Sequence, residues 1–227
     1  MVKTYIVNIR QLEEETAFQA ALPSASSYRR QKIASIKNVR DRCRSLGASL
    51  ALNAALQRYG LCEGSMEYVL GDQGKPMLRD YPELHFSLSH AGDYAICSMG
   101  NQEIGNDIER VRPGKLRVAD RFFAEAEKEW LYQADLPEEQ ESRMFRLWTM
   151  KESFLKVTGR GMTLPLRDFT VFIEDEGTAR LHQMLNDNIY YIKEYVLPDI
   201  FQEATGYKIS VCCMDPDFAP EPEAVLL

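Results

Sequence analysis

The chain has 227 residues, 45% of them hydrophobic, with a formal net charge of −7, long enough to bury a full core as one domain or as two of about 100 residues each. The acidic balance, with a pI near 5.2, argues against a general nucleic-acid binder, which shows a basic surplus. No apolar run reaches the ~18 residues of a membrane helix, and the first residues, Met1-Val-Lys-Thr-Tyr-Ile-Val7, read as a strand and not a signal peptide, so cytoplasmic residence is expected.

Residues Thr4 to Ile9 alternate as a strand. Pro23 to Lys37 is polar and basic, with Arg29, Arg30, Lys32 and Lys37 close together, and carries no motif to which a role attaches. A core helix follows from about Arg40 to Tyr59, its apolar face made by Leu46, Leu50, Leu52, Ala54 and Leu56 before the Gly60 stop. Gly71-Asp72-Gln-Gly74-Lys75-Pro76 is a turn by composition. Phe86 to His90 and Tyr94 to Met99 form a hairpin across Ala91-Gly-Asp93. It feeds a strand around Asp107. Val118 to Ala134 reads as one helix from the spacing of Phe122, Ala126 and Trp130, and Ser142 to Thr158 as another, stopped by Gly159-Arg-Gly161. Beyond Pro165 four β-like runs are expected, at Phe169 to Ile173, Ala179 to Met184, Tyr190 to Leu197 and Tyr207 to Met214. The order suggests an α+β protein of two similar halves, 1–102 and 103–215, with a loose Pro- and Glu-rich tail, 216–227. The five cysteines, odd in number and without C-x-x-C spacing, read as reduced and mostly buried thiols.

Two short motifs carry chemistry. In Ile104-Gly-Asn-Asp107-Ile-Glu109 a strand puts both carboxylates on one face, opposite Ile104 and Ile108, and Gly105 lets something approach the backbone. In Trp148-Thr-Met-Lys151-Glu152-Ser-Phe-Leu-Lys156 a helix stacks Glu152 and Lys156 one turn apart. Three carboxylates and an ammonium suit a hard cation that holds a phosphate. Taken singly, Asp-x-Glu is also a common solvated strand face and Glu-x-x-x-Lys a common helix pair. Ser89 and His90 are adjacent and point to opposite faces of a strand, and there is no G-x-S-x-G elbow, so a serine hydrolase is disfavoured. Gly74-Lys75-Pro76 lacks the spacing of a Walker loop.

In order along the chain, Arg44-Ser-Leu-Gly, Gly74-Lys75-Pro76, Phe86-Ser-Leu-Ser89-His90-Ala-Gly, Gly105-Asn-Asp107-Ile-Glu109 and Trp148-x-x-Lys151-Glu152-x-x-x-Lys156-x-x-Gly159-x-Gly161 resemble the 4′-phosphopantetheinyl transferases of the long, surfactin-synthetase type. The resemblance implies two α+β halves related by a pseudo-twofold, with coenzyme A and Mg²⁺ in the cleft between them. It also implies the reaction, transfer of the phosphopantetheine arm of coenzyme A to a serine of an apo acyl or peptidyl carrier domain, with release of adenosine 3′,5′-bisphosphate. On the matching motifs, Asp107, Glu109 and Glu152 would hold Mg²⁺, or Mn²⁺, which accepts the same ligands. Lys156 would touch the pyrophosphate, and Arg44, Gly74, Lys75, Pro76, Ser89 and His90 would bind coenzyme A. Glu152 is the general-base candidate, directly or through a metal-bound water. The long form implies a monomer, and from charge and hydropathy no nucleic-acid or membrane partner is expected.

Asn106 departs from the aliphatic residue usual before the family's Asp. Facing the core with Ile104 and Ile108, it needs a hydrogen-bond partner there or a place near an edge. A Mg²⁺-dependent phosphohydrolase that uses water as acceptor, or a non-catalytic nucleotide-binding scaffold, would present much of the same pattern.

Overall fold

The structure is a computed structural model and describes residues 1–71, 73–175, 178–201 and 205–227; Asp72 of the expected turn lies outside them. The chain begins with β1 (Lys3–Asn8), α1 (Glu15–Ala21), α2 (Ser27–Ser35) and α3 (Val39–Gln57), then β2 (Tyr68–Leu70), β3 (Pro76–Leu78) and the hairpin β4 (His85–Ala91) and β5 (Tyr94–Gly100). It continues with β6 (Ile104–Arg110), α4 (Leu116–Phe122), α5 (Glu125–Tyr132) and α6 (Pro137–Thr158), followed by β7 (Thr170–Asp175), β8 (Thr178–His182), β9 (Tyr191–Tyr195), β10 (Tyr207–Cys213) and β11 (Glu223–Val225).

The strands form a four-stranded sheet in the order β11-β1-β5-β4, a five-stranded sheet in the order β6-β10-β9-β8-β7, and a β2-β3 ribbon. Strand alternation sorts the side chains into three cores. Tyr5, Val7, Ala95 and Cys97 join Leu46, Ala48, Leu52 and Leu56 of α3. On the opposite faces Ile6 and Ile96 meet Ile104, Ile108, Ile209 and Val211 of the second sheet. Beyond it, Cys212, Ile192 and Val171 pack on Leu147, Met150, Phe154 and Leu155 of α6. The protein is therefore α+β, with two sheets face to face and one long helix on each outer side.

Caps fix the helix ends. Asn38 accepts a hydrogen bond from Asp41 N at 3.0 Å at the start of α3. At the other end of α6, Gly159 takes a left-handed φ of 66° and stops the helix. Two expectations change. The single helix over Val118 to Ala134 is two, α4 and α5, because Phe123 turns extended with ψ 154° and Ala124 N is captured at 2.9 Å by Glu127 Oε2, starting a new helix with its own cap. The tail expected to be loose carries β11, which pairs parallel to β1 from Tyr5↔Glu223 to Val7↔Val225. All five cysteines are free, and Cys62 alone of them is exposed.

Candidate active site

β6 pairs with β10 along one edge, and its other edge meets β4 through side chains. Asn106 is fully buried there. Its backbone N–H donates to Ser87 Oγ at 3.0 Å, and its Nδ2 donates to Ser87 O at 2.9 Å and to Ser98 Oγ at 3.0 Å. The partner that this residue requires thus comes from the first sheet. Asn106 Oδ1 has no hydrogen-bond partner among the described residues.

The next residue joins the halves. Asp107 Oδ1 accepts from Ser89 Oγ at 2.7 Å on β4 and from Lys156 Nζ at 2.8 Å on α6. Lys156 Nζ also donates to Asn106 O at 2.8 Å, so two of its three donors are engaged. Gly105 allows this approach: a Cβ there would lie 1.9 Å from Ser153 O and 2.5 Å from Val157 N, both backbone atoms of α6.

Glu109 and Glu152 complete the acidic set. Burial first, and then the Asp107 charge, hold the Glu109 carboxyl above its ordinary value. Burial, then Asp107, with a smaller push from Glu109, raise Glu152. The three carboxylates therefore share one electrostatic neighbourhood. Among the described residues no group of three or more His, Cys, Asp or Glu closes into ligating geometry; repulsion among like charges and the Lys156 bridge oppose it. The residues nonetheless fit a divalent cation. Asp107 Oδ2 is buried without a hydrogen-bond partner among the described residues, a costly state for an anionic oxygen, and an all-oxygen donor set suits Mg²⁺ or Mn²⁺.

Three cavities run into one another along the seam. One of about 280 Å³ is lined by Gly74, Pro76, Phe86, Leu88, Leu155 and Lys156, with Arg29 and Lys32 at its wall. A second, also about 280 Å³, shares Lys156 with it and adds Ser89 and His90. A third of about 640 Å³ shares His90 and is bordered by Arg40, Arg44, Glu109 and Arg112. An apolar slot thus lies beside a track of cations, which suits a nucleotide with several phosphates.

The residues expected to bind coenzyme A line these cavities. Arg44 Nε donates to Gly92 O at 2.9 Å, and its guanidinium pairs with Asp41. Desolvation, with the Arg44 and Lys156 cations, holds His90 below its ordinary value, so its imidazole is neutral near pH 7. Lys75 reaches the first cavity but bonds Glu103 Oε2 at 2.6 Å, Ile104 O at 3.0 Å and Lys156 O at 3.3 Å. Arg29 and Lys32 were outside the expected site. Arg29 is buried on α2, held by Ser49 Oγ at 2.9 Å and Ser45 O at 2.9 Å. The signal for them was Ser26, whose side chain caps α2 by accepting from Arg29 N at 3.2 Å; a helix starting there puts residues 29 and 32 on one face.

Fold and cleft together define an α+β protein whose charged seam between two halves suits a phosphorylated nucleotide. Residues 103–212 match the 4′-phosphopantetheinyl transferase superfamily. A 4′-phosphopantetheinyl transferase of Bacillus subtilis is 35% identical over 90% of this chain and 88% of its own length. The 4′-phosphopantetheinyl transferase Sfp of Bacillus subtilis strain 168 is 33% identical over 91% and 88%, and the transferase gsp of Aneurinibacillus migulanus 28% over 94% and 86%. The chain belongs to this family and is a 4′-phosphopantetheinyl transferase of the surfactin-synthetase type.

Proposed function

We propose that the protein transfers the 4′-phosphopantetheine arm of coenzyme A to a serine hydroxyl of an apo acyl or peptidyl carrier domain, in a Mg²⁺-dependent reaction that releases adenosine 3′,5′-bisphosphate. The observation that carries this reading is Asp107. One of its oxygens is shared by Ser89 and Lys156, while the other is buried, has no hydrogen-bond partner among the described residues, and shares its electrostatic surroundings with Glu109 and Glu152.

Asp107, Glu109 and Glu152 would hold the divalent ion, which when bound supplies charge neutralisation at the pyrophosphate. The remaining donor of Lys156 takes a pyrophosphate oxygen. Ser89, the neutral His90 and Arg44 bind further phosphate and ribose oxygens, and Gly74 with Pro76 borders the apolar slot for the base. The serine oxygen forms a bond to the phosphorus that bears the arm, the pyrophosphate P–O bond breaks, and its electrons leave with the bisphosphate. The serine proton passes to Glu152, directly or through a water molecule. Positioning and charge neutralisation are most of what such a transfer needs.

Incubating the protein with coenzyme A, Mg²⁺ and a panel of apo carrier domains, then weighing the carriers, tests the reading. A mass gain of one arm per carrier is expected, and Asp107→Ala should lower the rate on the order of a hundredfold or more. Bisphosphate released without any carrier would point to a phosphohydrolase instead. An absence of the gain in every carrier would reject the transfer.

A further inference from the structure

A lysine ammonium has three N–H donors and no acceptor. All three of Lys75 are matched by protein oxygens: Glu103 Oε2 at 2.6 Å, Ile104 O at 3.0 Å and Lys156 O at 3.3 Å. The other oxygen of Glu103 lies 3.2 Å from His85 Nδ1 on β4. A phosphate could gain Lys75 only by displacing one of these acceptors, and the Glu103 carboxylate beside the ammonium repels it. Lys156 differs, since it keeps one donor without a partner among the described residues.

The three acceptors come from two parts of the chain. Glu103 immediately precedes β6 and Ile104 begins it, and the strand carries Asp107 four residues after Glu103. The carbonyl of Lys156 lies in the last turn of α6, where it also accepts from Gly159 N at 3.3 Å, and its own side chain reaches Asp107. Lys75 itself stands in the turn beside Gly74 and Pro76 at the wall of the apolar slot. One ammonium therefore pins the base slot, the acidic strand and the end of the catalytic helix together.

We propose that Lys75, backed by Glu103 and His85, is a positioning residue and not a phosphate ligand. It sets the spacing between the base slot and the Lys156–Asp107 pair, and Glu103 is a required part of that strut. This assignment rests on the cleft being the coenzyme A site.

The two readings of Lys75 predict opposite signs for Glu103→Gln. If Lys75 is a strut, loss of the Glu103 charge loosens it and weakens coenzyme A binding. If Lys75 is a phosphate ligand held back by Glu103, the same change frees it and tightens binding. Affinity for coenzyme A and for 3′-dephospho-coenzyme A is measured by calorimetry on the whole protein, alongside KM and kcat. Glu103→Gln and Lys75→Met are each expected to weaken both ligands by one common factor, about three- to tenfold, with the double variant no worse than Lys75→Met alone because the two act as a unit. Tighter or unchanged binding in Glu103→Gln overturns the proposal, and so does a Lys75→Met penalty confined to the ligand that bears the 3′-phosphate. Glu103 is partly exposed, so a folding failure of Glu103→Gln is not expected, and its melting temperature checks this. A wild-type protein that binds neither ligand would reject the coenzyme A site and the strut with it. An active wild type with the wrong sign in Glu103→Gln would reject the strut alone.

Discussion

Glu109 and Glu152 are placed against the stability of the fold. Burial and mutual repulsion raise Glu109 and Glu152, so the folded chain holds their protons more tightly than the unfolded chain does. For a carboxyl the sign is then unfavourable: the two groups cost stability above their unfolded pKa, and the cost is relieved as pH falls through the raised folded values. Glu152→Gln removes one charge with little change of shape. Without added metal, this variant is expected to melt higher than wild type at pH 7, by roughly 1–4 °C, yet to transfer the arm on the order of a hundredfold more slowly. Added Mg²⁺ should raise the wild-type melting temperature and leave the variant nearly unmoved. Because the ion needs deprotonated ligands, the Mg²⁺-induced shift should shrink as pH drops from 7 toward 5. Scanning calorimetry with and without Mg²⁺ at several pH values reads all of this, and a variant that melts lower than wild type would contradict the repulsion. His90 is held below its ordinary value, so acidification charges it against Arg44 and Lys156, in the opposite direction to the relief of the carboxyls.

The long elements explain why these residues meet. Gly105 is the contact point of β6 and α6, and a methyl group there would face backbone atoms at 1.9 and 2.5 Å that no rotamer change can move. Gly105→Ala should therefore push α6 outward, costing about 3 kcal/mol or more and displacing Glu152 and Lys156 from Asp107. Chemical denaturation together with the carrier assay reads both effects, and a variant of wild-type stability would show that the helix can yield. The role of Gly105 as a place of close approach was legible in the sequence, as were the alternating strands β1, β4, β5 and β10 and the helices α3 and α6, because buried faces impose their own period. α4 and α5 were read as one helix because Phe122, Ala126 and Trp130 keep helical spacing across the break at Phe123. The inward turn of Arg29 was hidden because a basic run reads as solvated surface, whereas Ser45 and Ser49 of α3 supply its buried partners. The engagement of Lys75 by Glu103 had no local signature, since it depends on which strand begins beside which turn.

At the scale of the whole molecule the cleft lies at one edge of the first sheet, beside β4, and β11 lies at the other. Residues 216–227 close the far edge from both halves. Val2 N donates to Asp217 O at 2.6 Å, Ala219 N to Val2 O at 2.8 Å, and Tyr195 OH, on the second sheet, to Ala219 O at 2.7 Å. Phe218 packs on the core between the sheets, and Glu223 pairs with Lys3 and Arg58. Composition suggested a loose tail because Pro and Glu disfavour strands, but a short edge strand needs only backbone pairing from β1. Removing residues 216–227 would expose the hydrogen-bonding edge of β1 and uncover Val2. It should lower the melting temperature by roughly 5 °C or more and promote association through the open edge. Because none of these contacts borders the seam where Asp107, Lys156 and Lys75 meet, KM for coenzyme A should stay within about twofold of wild type below the melting transition. Melting curves, size-exclusion chromatography and steady-state kinetics on the truncated chain separate the two ends of the sheet. An unchanged melting temperature would mean that β11 contributes no stability, and a large rise in KM would mean that the far edge governs the cleft after all.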